Sequence, residues 1–340
     1  MTALATYTPQ AQDMVSFDSR LQMGEGEALG VGIKRVTLEQ LELGAAGFFD
    51  GEEKFPKAIH ESRKAVKRVR ALLRMVRFEL PGDVYRYEDR AMRNTNRMIS
   101  EVRSSFTAVE AARAIRDIYG EFLAEGTFHE TLDRLQQRSD IIQLAALEDP
   151  NLIGRVVRNL ERAYHRYSSW PTDPDARAVY GMGIRDSYEA LGPGLANTYG
   201  RGRKEMVAAF TRSSPHGFHL WRKRAKYLRH QMEFLAPLWP EVITGMAMTL
   251  DRLGMVLGED HDLHELNDLV QSRPDLCPNP RERSLFGALI AQRRSELQVA
   301  SEILGRRIYA EKPAWFQYRF GEYWDSRQLA LSRPLDSFSN

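Results

Sequence analysis

Two sets of residues in this chain share one order and one spacing: His60, Arg63, Lys64, Lys67 and Arg70, then His219, Arg222, Lys223, Lys226 and Arg229. Side chains of these types can grip an anion or, through imidazole, accept a phosphoryl group. The spacing favours the first. At about 100° per residue, positions 0, 3, 4, 7 and 10 of a helix fall within an arc of roughly 120°, so each set draws a cationic stripe along one helix face. Folding gains nothing from such a stripe, because like charges three and four residues apart cost a helix about 0.2 to 0.5 kcal/mol per pair. Four cations without interleaved acids call for a compensating anion, and two stripes suggest one long anion.

The elements that carry these stripes are amphipathic helices. Opposite the first stripe lie Ala65, Val66, Val69, Leu72, Leu73 and Val76, and opposite the second lie Trp221, Ala225, Leu228, Met232 and Leu235, the periodicity of a buried helix face. Pro81-Gly82 ends the first helix, while Pro237 and Pro240 bound the second. Helical patterns also run through about 34–49, 83–101, 105–123, 127–140, 150–167, 186–211, 241–258, 262–272 and 280–309. Alternating strand patterns are nearly absent, so the expected class is all-α. Short connections between long helices predict antiparallel bundles. Residues 168–195, rich in proline and glycine, read as the main interruption, and Ser213-Ser214-Pro215-His216-Gly217 as a second break. The predicted organisation is a flexible tail over 1–30, a first helical half over 31–212 and a second over 213–335.

The 340 residues carry 48 Lys and Arg against 46 Asp and Glu, a net charge of +2. This excludes a uniformly basic nucleic-acid coat and moves the question to where the charge sits. Between Lys54 and Arg77 the basic residues face only Glu61, and between His219 and His230 there is no acid. Charge segregated in this way focuses its field on one cleft or groove. No apolar run approaches the roughly 18 to 20 residues needed to span a bilayer, and the N-terminus lacks the pattern of a secretory signal. A single cysteine, Cys277, in the loop sequence PDLCPNPRE, fits a reducing cytoplasm and carries no thiol-catalyst motif.

The segments IHESRKAVKRVRALLRMVRF and FHLWRKRAKYLRHQMEFL resemble the paired signature helices of the CHAD family, the conserved-histidine α-helical domain. LGEDHDL at 257–263 resembles the family's Leu-Gly-x-x-(Arg or Asn)-Asp element, with His261 and Asp262 at its polar pair. TYGRGRKEM at 198–206 resembles its Tyr-x-x-Gly-Arg helix and supplies Arg203 and Lys204. In the first half the Leu-Gly element corresponds to MISEVRS, where Arg103 matches but Ser104 stands in place of aspartate. The resemblance spans about 35–310. It implies two pseudo-symmetric antiparallel four-helix bundles around a basic groove, binding of inorganic polyphosphate, and association with polyphosphate granules in the cytoplasm, where protein partners could also gather. Some relatives carry an attached triphosphate tunnel domain; without a strand-rich segment, this chain is expected to be a stand-alone member.

Polyphosphate is a flexible string of like anionic units, which a mixed stripe grips without fixed register: arginine offers a planar fork and lysine a mobile point charge. The expected contacts are the cations of both stripes, with His60 and His219 as donors at the stripe ends. Arg74, Arg103, Arg203 and Lys204 follow as further contacts. A third run, Arg155, Arg158, Arg162 and His165, repeats part of the spacing and reads as an extension of the groove, the plainer reading being a solvated face. Phosphotransfer through His60 or His219 is the enzymatic alternative, although no paired acid accompanies either. Glu259, Asp260, His261, Asp262, His264 and Glu265 resemble metal ligands only superficially, and the acids after Gly258 suit the N-terminus of a following helix, while Asp262 suits pairing with a stripe cation. Trp221 reads as core and Tyr227 as the stripe's edge, so the stacking platform of a single-strand nucleic-acid binder is missing from the cationic face. No P-loop, nucleotide fingerprint, nucleophile elbow or zinc-helix motif occurs. The sequence therefore predicts a binding module with no catalytic residues, cofactor or metal.

Overall fold

The computed structural model describes residues 19–49, 51, 54–173, 183–212 and 214–332, and all regular structure among them is helical. Eleven α-helices follow in order: α1 (Leu29–Ala46), α2 (Phe55–Met75), α3 (Gly82–Met98), α4 (Ser100–Tyr119), α5 (His129–Glu148), α6 (Pro150–Ser168), α7 (Tyr188–Arg212), α8 (Pro215–Leu235), α9 (Pro240–Ser272), α10 (Pro280–Ile308) and α11 (Pro313–Ser332). None is long and apolar enough to cross a membrane.

The stripe helices α2 and α8 form because their apolar faces have somewhere to go. Val66, Val69, Trp221, Ala225 and Leu228 are fully buried. Burial of each large apolar side chain contributes about 1.5 to 3 kcal/mol, which outweighs the few tenths lost per like-charge pair. The start of α8 matches its sequence signal: the Ser214 hydroxyl accepts from the Gly217 N–H at 3.2 Å, with Pro215 in the first turn. Asp149 and Asn279 cap α6 and α10 in the same way.

Two cores organise the helices. One gathers α1, α2, α3, α6, α7, α8, α11 and most of the first part of α9, with Val102 of α4, Ala146 of α5 and Ile308 of α10; the other gathers the rest of α4, α5 and α10 with Val256 and the C-terminal part of α9. Each draws on both halves of the chain, and α9 is common to both. Helix α1 packs on α2 and α7 on α8, α4 on α5 and α9 on α10, and α6 on α1 and α11 on α7.

Three expectations are corrected. Residues 1–18 of the predicted tail lie outside the described residues, but 19–30 are anchored: Leu21 and Met23 are buried, and the Met23 N–H donates to the Phe234 carbonyl at 3.0 Å. The interruption at 168–195 is shorter than predicted, since α7 runs from Tyr188 through Pro193; 174–182 lie outside the described residues. Residue 212, where the boundary is expected, ends α7, which packs tightly on α8. The patterns at 241–258 and 262–272 are one helix. Its mid-helix acids cap nothing and are satisfied sideways from α10, Arg293 donating to Glu259 at 2.6 Å and Arg294 and Gln298 to the buried Asp260 at 3.1 and 3.0 Å.

Helix α11 was absent from the predicted patterns. Phe316, Phe320 and Trp324 recur every four residues and are buried, with Phe316 stacked on Tyr199 at 4.0 Å between ring centroids.

Candidate anion-binding site

Where α2, α4, α8 and α9 meet, they enclose a cavity of about 870 Å³. Helix α2 contributes His60, Arg63, Lys64 and Lys67, and α4 contributes Arg103 with Ser100, Ser104 and Thr107. Opposite them, α8 presents His219, Arg222, Lys226 and Arg229. The wall formed by α9 holds Asp251, Glu259, His261, Asp262 and Glu265, and α4 adds Glu110. The two stripes thus converge on one space from different helices.

Gly254 and Gly258 of α9 lie beside the stripe cations of α8. A Cβ at Gly258 would stand 3.4 Å from Nη2 of Arg222, and one at Gly254 3.8 Å from Cγ of Lys226. The stripe cations of α8 therefore lie directly across the α9 backbone at these two positions.

The electrostatics of the cavity are those of cations crowded with too few acids. Burial, and then Arg63, Arg222 and Arg103, pull the Lys67 ammonium down to about 7. Burial, followed by Arg222 and Lys67, places Lys226 well below its ordinary value, so each lysine feels the cations of the other stripe. Burial together with His261, Lys223 and Arg222 lowers His219 to about 4, leaving a neutral imidazole at physiological pH. Burial and Arg103 lower His60 as well. Several polar nitrogens in this region are unused: the donors Nε of Arg222 and Nε of Arg229, and Nδ1 of His219, whose role depends on the tautomer, are buried without a hydrogen-bond partner among the described residues. Buried donors left unpaired are costly, and an anion in the cavity would satisfy them.

The acids of the wall are partly engaged. Arg229 pairs with Glu233 and Asp251, each at 2.9 Å, and Arg222 reaches Asp262 at 3.8 Å. Burial works against ionisation of Asp262, but the His261 hydrogen bond and Arg222 hold its carboxyl below the usual range. This agrees with the expected pairing of Asp262 with a stripe cation. His261, Asp262 and Glu265 could each offer a metal one ligand atom, all within 4.8 Å of one another. A metal there would compete with the fixed charge of Arg222.

Not every predicted contact reaches the cavity. Helices α2 and α8 cross where Gln231 donates to the Ala71 carbonyl at 2.9 Å, and the cations beyond or beside the crossing face elsewhere. Arg70 and Arg74 pair with Asp89 of α3 at 2.9 and 2.7 Å, and the Arg74 guanidinium lies 4.2 Å from the centre of the Tyr227 ring. Lys223, at the stripe's edge, is exposed and feels Arg224, Arg70, Arg74 and Arg93. Arg203 donates to the Tyr309 carbonyl at 3.2 Å, and Lys204 is exposed. Arg155, Arg158 and Arg162 are exposed on α6, which packs on α1, α3 and α5, away from the cavity. That run is a solvated helix face, with Arg155 3.6 Å from Asp149.

Sequence reasoning missed Thr107, Glu110, Gly254 and Gly258 as parts of the wall. Cys277 is buried, and its burial pushes the thiol up, which disfavours the thiolate.

No match to the chain is found among curated proteins. A family model for the CHAD domain matches residues 36–271, from within α1 to the end of α9. The match covers well over half of the chain, includes both stripe helices and all four walls of the cavity, and establishes that the chain belongs to the CHAD domain family.

Proposed function

We propose that the chain binds inorganic polyphosphate in the cavity between α2, α4, α8 and α9. The observation that carries this reading is the convergence of both stripes on one space of about 870 Å³, with buried guanidinium and imidazole nitrogens lacking partners. A cavity of that size holds several linked phosphates, and family membership points to the same polymer. Among the described residues the lining contains no Phe, Tyr or Trp, which disfavours the base stacking of a nucleic-acid groove. The paired packing of α1–α2 and α7–α8, and of α4–α5 and α9–α10, supports reading the two stripes as halves of an internal duplication, two related four-helix bundles that meet at the cavity. Their boundary then lies before α7.

In this reading the protein holds the polymer without turning it over, and it would gather at polyphosphate granules in the cytoplasm with any proteins assembled there. The test compares long-chain polyphosphate with single-stranded DNA of equal charge at matched salt. Tighter binding of polyphosphate, weakening as salt rises, is the expected result; equal affinity would leave only a generic anion trap. Orthophosphate release or chain shortening in the presence of magnesium would overturn the non-enzymatic part.

The neutral His219, with its unpartnered Nδ1, favours one second reading, a phosphoryl acceptor. Acid-labile phosphate on His219 after incubation with polyphosphate would support that role, and its absence would retire it.

A further inference from the structure

On the other side of the α2–α8 crossing lies a separate cleft of about 280 Å³, lined by Arg74, Arg77, Arg201 and Arg224 with Asp89, Asn197 and Thr198 among its neutral and acidic neighbours. It shares no lining residue with the larger cavity. We propose that this cleft is a second anion site, which takes a compact group of two or three linked phosphates.

The charge balance is the first argument. Four guanidinium groups face one carboxylate, and that carboxylate is already committed, since Asp89 binds both Arg70 and Arg74. Arg201 and Arg224 make no ion pair among the described residues, and Nε of Arg224 is buried without a partner. Glu205 acts on Arg224 from a distance, while Arg201 and Arg74 oppose its charge. Guanidinium cannot shed its proton in a protein, so the empty cleft keeps its full charge.

Geometry supplies the second argument. Arg74 is held in place from three sides, by Asp89, by the Tyr227 ring and by the Arg70 carbonyl, to which it donates at 2.8 Å. Arg77 lies over the Phe78 and Tyr85 rings, 5.0 Å from each centre. Such stacking leaves the edge of the fork for bidentate contact with phosphate oxygens. Asn197 and Thr198 of α7 add neutral polar groups at the floor. The volume lies below the usual range for organic ligands, which suits a small, dense anion. The proposal is independent of what occupies the larger cavity.

The phosphate group could be a free oligophosphate or the end of a long polymer. Inorganic triphosphate is the probe, titrated into the full chain and into three variants. R222Q/K226Q, in the cavity, should still bind one triphosphate per chain; R201Q/R224Q, in the cleft, should bind one fewer than the unaltered protein. N197E removes no cation and places a carboxylate among the arginines. It should also abolish cleft binding without lowering the thermal midpoint, which separates site loss from misfolding. Unchanged stoichiometry in both R201Q/R224Q and N197E would overturn the site. If triphosphate still binds with the cavity saturated by long-chain polyphosphate, the occupant is a free oligophosphate. If the polymer displaces it and R201Q/R224Q weakens polymer binding severalfold, the occupant is the chain end.

Discussion

The large cavity and the small cleft solve the same electrostatic problem in opposite ways. In the cavity, crowding is relieved by groups that can discharge, Lys67, Lys226, His60 and His219, and by acids of α9 set among the cations. In the cleft nearly every charge is a guanidinium and discharge is closed. The first arrangement is soft and takes up charge when its ligand arrives. The second is permanently charged, with Arg74 and Arg77 stacked on aromatic rings. One protein thus sets a pH-responsive surface beside a pH-indifferent one, separated by a single helix crossing.

The sharpest way to break this comparison is to strip the cavity alone. R222A/K226A should lower affinity for long-chain polyphosphate on the order of 100-fold at fixed salt, since charge-assisted hydrogen bonds contribute about 1.5 to 3 kcal/mol each; a direct titration reads it. An effect below about threefold would move the polymer's site elsewhere.

A second test attacks the wall that shapes the cleft. A Cβ at Gly194 would run into the Met75 carbonyl at the end of α2. G194A should therefore cost about 1 to 3 kcal/mol as an overpacking change, read as a lower thermal midpoint, and should weaken triphosphate binding in the cleft more than polymer binding in the cavity.

Proton linkage sharpens the contrast further. The Lys67 ammonium titrates at about 7 in the empty cavity, and a bound polyanion raises it. Binding then takes up a proton, so affinity should rise as pH falls from 8 to 6, by up to about tenfold per unit where the free lysine is neutral and the bound one charged. The gain levels off below the free value. Calorimetry in two buffers of different ionisation enthalpy counts the proton, and K67M should flatten the profile. For folding the sign is opposite: the unfolded chain binds that proton more tightly, so the empty protein should gain stability as pH rises above about 7. The smallest expected effect belongs to R155A/R158A/R162A, which should leave polymer affinity within about twofold, because that run is a solvated face.

Much of this was legible in the residues and some of it could not be. The all-helical class, the two stripe helices and their buried faces follow from periodicity alone, as does the burial of Trp221. The segregation of cations into two stripes was legible as well, and the structure brings part of each stripe to one cavity. What the spacing could not reveal is that the helices cross, and so split Arg70, Arg74 and Lys223 from the rest. A helical wheel describes one helix and is blind to its neighbours. The continuity of α9 through Gly258, Glu259 and Asp260 was hidden for the same reason, as those two acids are satisfied by Arg293, Arg294 and Gln298 more than thirty residues downstream. The third basic run misled because three exposed arginines at helical spacing look alike whether they face solvent or a ligand. Helix α11 was obscured by exposed Trp315 and Tyr318, which blur the apolar period.

Helix α9 is 33 residues long, about 50 Å at 1.5 Å per residue, and Leu257 belongs to one core while Val256 and Leu263 belong to the other. The cavity wall from Asp251 to Glu265 occupies this same stretch. The cavity is therefore built on the beam that ties the molecule together. A polymer seated there braces both cores at once, and neither half of the chain could be cut away to leave a working site behind.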